Sequence, residues 1–440
     1  MSKSINTATI KQFQTEFIKD KKHSVIQRAV TNNGIFKTSE NTFASANNTT
    51  VFSHELESSK VSDQKHSGLC WLFATLSALR HQIAKDYKLE DFELSESYSF
   101  FWDKLEKSNH FYEEIIKTAD VSFDDRLIQA IFEYPQGDGG WWESSVAIIN
   151  KYGIVPKSAM APAVTTMNST QLNLLLNRKL RKDALILRKL VKGSSKDVAA
   201  KKEKMLQEVY RMLSISIGTP PTEFNFSYKD KDKKYHHEEK ITPLDFLKKY
   251  TKNDLDQYVS LVNDPSPDKK YNQTYTIDGS NNVFEESSVI FLNTQMDELK
   301  KLSMKQIKGG HYVWFGCDIH QDASKKGFMA TDLYDFEGTF EIDFSMDKAD
   351  RLSARDSSPN HAMLLTGVDV VDGKSRQWKV ENSWGEKVGD KGYFTMSDKW
   401  MDEHTYMTVI RRDLLPKKLQ EALQKKPIVL PRWDPINSTV

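Results

Sequence analysis

The chain has 440 residues, of which 38% are hydrophobic and 28% charged, and its formal net charge is +1. This length exceeds what one hydrophobic core usually holds, so two or more substructures are expected. The balanced charge gives no electrostatic case for nucleic acid or an acidic membrane surface. No apolar run approaches the ~20 residues that a spanning helix needs.

The number of cysteines and the N-terminal residues indicate the cellular compartment of the protein. Only two cysteines occur, Cys70 and Cys317, whereas a secreted chain of this size normally carries several disulfides. The first seven residues lack the apolar core of a signal peptide. We therefore expect a cytoplasmic protein without membrane association.

The N-terminal part predicts one helix followed by an arm. Residues 8–20 place Ile10, Phe13 and Phe17 on one face at helical spacing. Residues 30–50 are rich in Asn, Thr and Ser, which favours an extended, loop-rich structure. Residues 1–60 are assigned to this helix and arm.

An apolar helical pattern begins at Cys70 and predicts a helix to about residue 83. Because a helix N-terminus favours an anion, this position is expected to lower the pKa of the Cys70 thiol. Gln64 lies just upstream, and its amide is suited to donate to an oxyanion beside the sulfur. Taken alone, the cysteine is more typical of a small buried hydrophobe.

A glycine-rich stretch at 137–140 precedes a predicted helix at 142–152, which Gly153 ends. Its glycines suit either a tight turn or the close approach of another backbone. Residues 61–165, which also carry a predicted helix at 96–105, form the cysteine-bearing half.

A lysine-rich helical segment covers residues 171–218 and is interrupted near 193–195, and a further helix is predicted at 241–250 with Thr242 as its N-cap. His236 and His237 are interpreted as part of a solvated loop rather than a metal site. We assign residues 166–290 to an inserted helical region.

The remaining chain is predicted to be β-rich, after a helix at 295–308. His361 begins one apolar strand and Asn382 closes another, whereas Cys317 lies in an apolar strand that favours core packing. A nucleophilic cysteine needs a base, and the base needs a group that orients it. Residues 291–425 are assigned to this half, with these expected strands: 312–319, 361–370, 376–382, 391–396 and 405–411.

Three motifs occur in a characteristic order: Gln64 with Cys70-Trp71, then His-Ala-Met at 361–363, then Asn-Ser-Trp-Gly at 382–385. In this order they resemble the papain superfamily of cysteine peptidases. Further segments resemble its bleomycin hydrolase and aminopeptidase C branch: 137–142, 261–265, 313–318 and 430–435. The resemblance implies an α+β papain-like fold with a large helical insertion.

The resemblance also implies site roles. Cys70 would be the nucleophile, His361 the acid and base, and Asn382 the group that orients the imidazole. Gln64 would stabilise the oxyanion, and Trp384 would shield the hydrogen bond between His361 and Asn382. Two glycines, Gly139 and Gly140, would pair with the substrate main chain.

Residues 426–440 contain three prolines and cannot form a helix, and their apolar side chains argue against a free tail. In the family this tail lies along the active-site cleft. The Val440 carboxylate would then meet the free amino group of the substrate. The final four residues, 437–440, differ from the alanine-rich ending associated with the family.

The resemblance therefore implies a cytosolic cysteine aminopeptidase of broad specificity, acting on peptides, with no metal or cofactor. It also implies a homohexamer. The alternatives are an endopeptidase or acyltransferase on the same residues, or a protein that binds nucleic acid or a partner on this scaffold.

Overall fold

The computed structural model describes residues 4–46, 49–252, 254–286 and 288–437. In these residues the helices are α1 (Thr7–Lys19), α2 (Lys21–Asn33), α3 (Ile35–Ser39), α4 (Thr42–Ala46), α5 (Cys70–Asp86), α6 (Glu96–Lys117), α7 (Arg126–Glu133), α8 (Trp142–Tyr152), α9 (Val164–Met167), α10 (Thr170–Lys192), α11 (Val198–Ile217), α12 (Pro243–Tyr250), α13 (Met296–Lys308), α14 (Phe336–Phe340), α15 (Lys348–Ala354), α16 (Asp398–His404) and α17 (Lys417–Leu423).

The strands are β1 (His54–Glu55), β2 (Phe224–Lys229), β3 (Tyr235–Ile241), β4 (Tyr258–Val262), β5 (Gln273–Ile277), β6 (Ile290–Asn293), β7 (Val313–Cys317), β8 (Ala323–Ser324), β9 (Phe328–Met329), β10 (His361–Val371), β11 (Lys374–Glu381), β12 (Tyr393–Ser397), β13 (Thr405–Arg411) and β14 (Ile428–Leu430).

Twelve of these strands form one mixed sheet in the order β14-β5-β6-β4-β13-β7-β10-β11-β12-β9-β8, with β1 paired to β10. The central strands β7, β10, β11 and β13 pair antiparallel, whereas the pairs β4–β6 and β5–β14 are parallel. The sheet thereby joins strands that lie far apart in the sequence. The combination of these helices with a sheet of mixed strand directions confirms the α+β class.

Helix α5 contacts both the main sheet and the helices α6 and α8. Twelve of its 17 residues are buried, and it packs along β10. A helix that is apolar on most of its surface must be covered on most sides. Its first residue, Cys70, is therefore held between a helical core and the sheet.

Several local predictions are confirmed. The Cys70 helix and the helix at 142–152 are α5 and α8, and the break near 193–195 separates α10 from α11. The Thr242 hydroxyl accepts a hydrogen bond from the backbone N–H of Asp245 at 3.2 Å, as expected of an N-cap.

The predicted extended arm at 30–50 is wrong, because most of it is helical in α2, α3 and α4. The polar side chains had suggested a loop. They instead donate hydrogen bonds to backbone carbonyls one helical turn earlier. Asn32 donates to Arg28 at 2.7 Å, and Asn33 donates to Ala29 at 2.9 Å. Such local bonds satisfy these amides within a helix.

The inserted region 166–290 is also not wholly helical. Its last α-helix ends at Tyr250, and the segment that holds His236 and His237 forms the hairpin β2–β3 rather than a loop. Strands β4 and β5 belong to the main sheet, where β4 pairs with β13. Such pairing depends on partners far along the chain, which local periodicity does not reveal.

Among the described residues, no helix is both long enough and apolar enough to span a membrane.

Candidate active site

Cys70 and His361 line the same cavity, which has a volume of about 190 Å³. Cys70 is the first residue of α5 and is 4% exposed, and His361 is the first residue of β10 and is 7% exposed. The backbone N–H of Ala362, the residue after His361, favours the charged form of the sulfur. The packing of α5 against β10 thus brings together two residues that lie 291 positions apart in the sequence.

Asn382 fixes the tautomer of His361. The ring atom Nε2 lies 2.8 Å from the Asn382 Oδ1 atom. The same oxygen accepts the backbone N–H of Ser383 at 2.7 Å, which identifies it as the amide oxygen. Nε2 must therefore carry the proton, and Nδ1 keeps the lone pair that can accept a proton from sulfur.

The Trp384 ring packs against His361. Its ring centroid lies 5.2 Å from that of His361, and its other side meets Phe394 at 5.9 Å in an edge-on arrangement. Asn382 is 3% exposed, so water has little access to the hydrogen bond. A shielded hydrogen bond is stronger than one exposed to water.

Burial dominates the ionisation of both reactive groups. It raises the pKa of the Cys70 thiol to about 11, although backbone N–H groups of Ala362, Trp71 and Cys70 oppose it. It lowers the pKa of His361 to about 4, against the hydrogen bond to Asn382. The expected lowering of the thiol pKa is wrong, because desolvation outweighs the helix N-terminus.

Gln64 lies next to this centre but is held by other partners. Its Nε2 donates to the Ser67 carbonyl at 2.7 Å, and its Oε1 accepts the Ser383 hydroxyl. The residue is 8% exposed and lines a second cavity, which it shares with Phe73 of α5. Within the described residues, the amide thus contacts Ser67 and Ser383 rather than the wall that Cys70 and His361 share.

Gly139 and Gly140 line the cavity on the side of Trp71. A methyl group on Gly140 would lie 2.7 Å from the fully buried Trp71 ring, so this position requires glycine. The Gly139 carbonyl accepts a hydrogen bond from Lys107 Nζ at 2.7 Å. The glycine loop therefore packs directly on the helix that carries the cysteine.

Asp138 anchors this loop, a role that the sequence analysis did not predict. Its carboxylate lies 2.7 Å from Lys104 Nζ, and it accepts the Asn173 amide at 2.8 Å and the Gly68 N–H at 3.2 Å. These partners hold the pKa of Asp138 well below its usual range, despite its burial. The only sequence signal was its place between the glycines at 137 and 139.

Cys317 confirms the prediction of core packing, because it is fully buried in β7. It nevertheless lies directly opposite His361 in the register of β7 and β10. Burial raises the pKa of the Cys317 thiol well above its ordinary value. Any chemical labelling of this protein must therefore distinguish the two sulfurs.

The end of the described chain also reaches this cavity. Arg432, Ile436 and Asn437 belong to the wall that holds Cys70 and His361. Ile436 is 1% exposed, so this stretch is packed rather than frayed. Val440, the expected anchor for the substrate amine, lies outside the described residues.

Comparison with known proteins agrees with this geometry. The profile described as the Peptidase C1-like family matches residues 4–437. The chain belongs to the Peptidase C1-like family. It is a papain-like cysteine peptidase, which confirms both the resemblance and the α+β papain-like fold.

Individual relatives match this peptidase over its full length. It is 45% identical to Aminopeptidase C of Streptococcus thermophilus over 99% of both chains. It is also 45% identical to Aminopeptidase C of Lactobacillus helveticus, over 100% of this chain and 99% of that one. The crystal structure of pepw from Lactobacillus rhamnosis HN001 superposes with a TM-score of 0.98, at 47% identity, over 100% of both chains.

Proposed function

We propose that this peptidase is a cytosolic cysteine aminopeptidase of broad specificity, which releases N-terminal residues from peptides. The names of the full-length relatives support the activity. The observation that carries the proposal is the course of residues 431–437, which end in the cavity beside Cys70 and His361. A cleft occupied at one end leaves little room for residues upstream of the cleaved bond.

The proposed reaction starts with proton transfer from the Cys70 sulfur to His361 Nδ1. The thiolate attacks the peptide carbonyl, and the tetrahedral intermediate collapses as His361 protonates the leaving amine. A water molecule then gives a proton to His361 and cleaves the thioester, which restores the thiol. Asn382 holds the ring in place throughout, and Trp384 keeps water from their hydrogen bond. No metal or cofactor takes part.

Gln64 is proposed to stabilise the oxyanion together with the backbone N–H of Cys70. The Ser67 carbonyl engages one hydrogen of the Gln64 amide, which leaves the second for the substrate oxygen. We expect Gln64→Ala to lower kcat about 10²–10³-fold and to change KM little, because the oxyanion exists only after attack. Steady-state kinetics on a fluorogenic aminoacyl substrate measures both constants. An unchanged kcat would remove Gln64 from the mechanism.

Gly139 and Gly140 are proposed to pair with the main chain of the bound peptide. Their place in the cavity wall supports this. The Val440 carboxylate is proposed to bind the free amino group of the substrate. It lies three positions after Asn437, a distance of at most about 10 Å in an extended chain.

The tail proposal is tested with paired substrates that differ only in a free or an acetylated amino group. The intact protein is expected to cleave the free substrate at least 100-fold faster, because an amine–carboxylate ion pair is lost on acetylation. A variant that lacks residues 436–440 is expected to cleave the acetylated substrate at least 10-fold faster than the intact protein does. Equal cleavage of both substrates by the intact protein would instead support the endopeptidase alternative.

The proposal also includes peptide substrates, self-association as a homohexamer and a location in the cytoplasm. Helix α1 buries none of its side chains within the chain, and the apolar Phe13 and Ile18 are 59% and 74% exposed, which supports a protein partner. Both cysteines are free thiols, as a reducing compartment favours. Sedimentation equilibrium would reveal the number of subunits, and a monomer at micromolar concentration would oppose the hexamer.

A further inference from the structure

The tail after β14 follows a defined path into the cavity. The Leu430 carbonyl accepts the N–H of Asp278 at 3.0 Å as β14 leaves the sheet edge. Beyond Pro431 the backbone folds on itself, since the N–H of Asp434 donates to the Pro431 carbonyl and that of Asn437 to the Asp434 carbonyl, both at 2.9 Å. Such a short segment needs contacts with the body of the protein to stay in one place.

Arg432 makes the most extensive of these contacts. Its guanidinium donates two hydrogen bonds to the Glu114 carboxylate of α6, at 2.6 and 3.1 Å, and reaches Asp278 at 3.0 Å. The side chains of Arg432 and Glu114 are only 14% and 18% exposed. A bidentate pair with little exposure fixes geometry far better than a surface ion pair.

The protein provides space for this guanidinium at Gly279. A methyl group there would lie 2.5 Å from Arg432 Nη2 and 3.1 Å from Glu114 Oε1, and the backbone φ is +66°. Both the available space and the conformation therefore require glycine. Arg432, Glu114, Asp278 and Gly279 are named the tail latch here.

Glu114 is charged at neutral pH. Burial alone would raise its pKa, yet the nearby His110 ring and the two hydrogen bonds from Arg432 bring the pKa of Glu114 down to about 2. The nearest His110 ring nitrogen lies 3.6 Å from this carboxylate, so Arg432 is the closer cation.

Other contacts hold the tail as well. Asp434 lies 3.1 Å from Lys269 Nζ, and the guanidinium of Arg126 lies 4.2 Å from the centroid of the Trp433 ring. The tail latch differs from these contacts because Arg432, Glu114 and Gly279 themselves form part of the wall around Cys70. Displacement of Arg432 would therefore open the cavity directly.

We propose that the tail latch is a specificity device: the Arg432–Glu114 pair holds residues 432–437 in the cleft and so restricts cleavage to peptides with a free amino end. This rests on the proposed aminopeptidase function and names the residues of the body that enforce it. Arg432 and Glu114 act by positioning the tail and take no part in bond cleavage.

The test compares Arg432→Met, Arg432→Lys, Glu114→Gln and the double variant E114Q/R432M on the paired free and acetylated substrates. Arg432→Met is expected to raise kcat/KM for the acetylated substrate at least 10-fold and to lower it several-fold for the free substrate. Arg432→Lys keeps the charge without the bidentate geometry, so it is expected to fall between Arg432→Met and the native protein. The double variant is expected to match Arg432→Met, because the two residues act through one interaction.

Lys417→Met serves as the charge-matched control, because its side chain is 89% exposed on α17 and its carboxylate partner lies 3.9 Å away. Chymotryptic cleavage after Trp433 gives a readout independent of activity, and Arg432→Met should accelerate it at least 10-fold. If deletion of residues 436–440 opens the site but Arg432→Met changes neither selectivity nor proteolysis, the latch is wrong and the proposed function stands. If neither change admits the acetylated substrate, the role of the tail fails together with the latch.

Discussion

Replacement of Cys70 by alanine is expected to reduce hydrolysis on the order of 10⁶-fold, to the level of catalysis by binding alone. Among the described residues that line the cavity, Cys70 is the only one with a thiol, and His361 lines the same cavity. The small change of side-chain volume should leave the fold intact. Steady-state rates and circular dichroism spectra of the purified variant measure both effects.

The matched control for this experiment is Cys317→Ala, which removes the second sulfur from the buried strand β7. This variant should retain hydrolysis within a few-fold of the native rate. Full activity in Cys70→Ala would contradict the assignment of Cys70 as the nucleophile. Loss of activity in Cys317→Ala, with the fold preserved, would contradict it as well.

Replacement of His361 by alanine is expected to have two effects. Hydrolysis should fall by at least 10⁴-fold, because no group remains to protonate the leaving amine. Alkylation of Cys70 by iodoacetamide should also move to alkaline pH. Burial raises the pKa of the thiol, and without an imidazole to take its proton the thiol stays protonated and unreactive near neutral pH. The native protein should instead react near neutral pH, since His361 accepts the proton.

The pH dependence of the alkylation rate, measured between pH 5 and 11 in a Cys317→Ala background, separates the two cases. In that background every modified sulfur is Cys70, so no assignment by mapping is needed. An identical pH profile with and without the imidazole would show that the ring does not control the thiol, and the proposed proton transfer would be lost.

The parts of this protein that could be predicted from sequence are those fixed by local signals. The helix from Cys70 has an uninterrupted apolar pattern, and the strand that begins at His361 is a continuous apolar run. Ordered motifs then indicated which of these elements carry the site. The relation between His361 and Asn382 followed from motif order and is present as a hydrogen bond of 2.8 Å.

Structure that depends on distant partners could not be predicted in this way. Composition suggested a loop at residues 30–50. Most of these residues instead form helices, in which polar side chains donate hydrogen bonds to backbone carbonyls of the preceding turn. Strand β4 was assigned to a helical insertion, because nothing near it in sequence reveals its partner β13. Both errors arise where context overrides local propensity.

The ionisation of Cys70 and the contacts of the tail also could not be predicted from sequence. The position of Cys70 at a helix N-terminus was evident from sequence, but the depth of its burial was not, and burial decides the direction of its pKa shift. The apolar tail was expected to pack. Its partner Glu114 lies 318 positions before Arg432, and no pattern in the tail identifies that residue.

The central claim is that Cys70 and His361 together form the nucleophile and the acid–base group of an enzyme that requires a free amino end. The most direct measurement treats the protein with an aminoacyl vinyl sulfone, in free and N-acetylated forms, and maps the modified residue by mass spectrometry. The account predicts one adduct per chain, on Cys70, formed quickly with the free reagent, slowly with the acetylated one and not at all in His361→Ala at neutral pH. An adduct on Cys317, or a chain that is modified on Cys70 and still hydrolyses peptides, would contradict it.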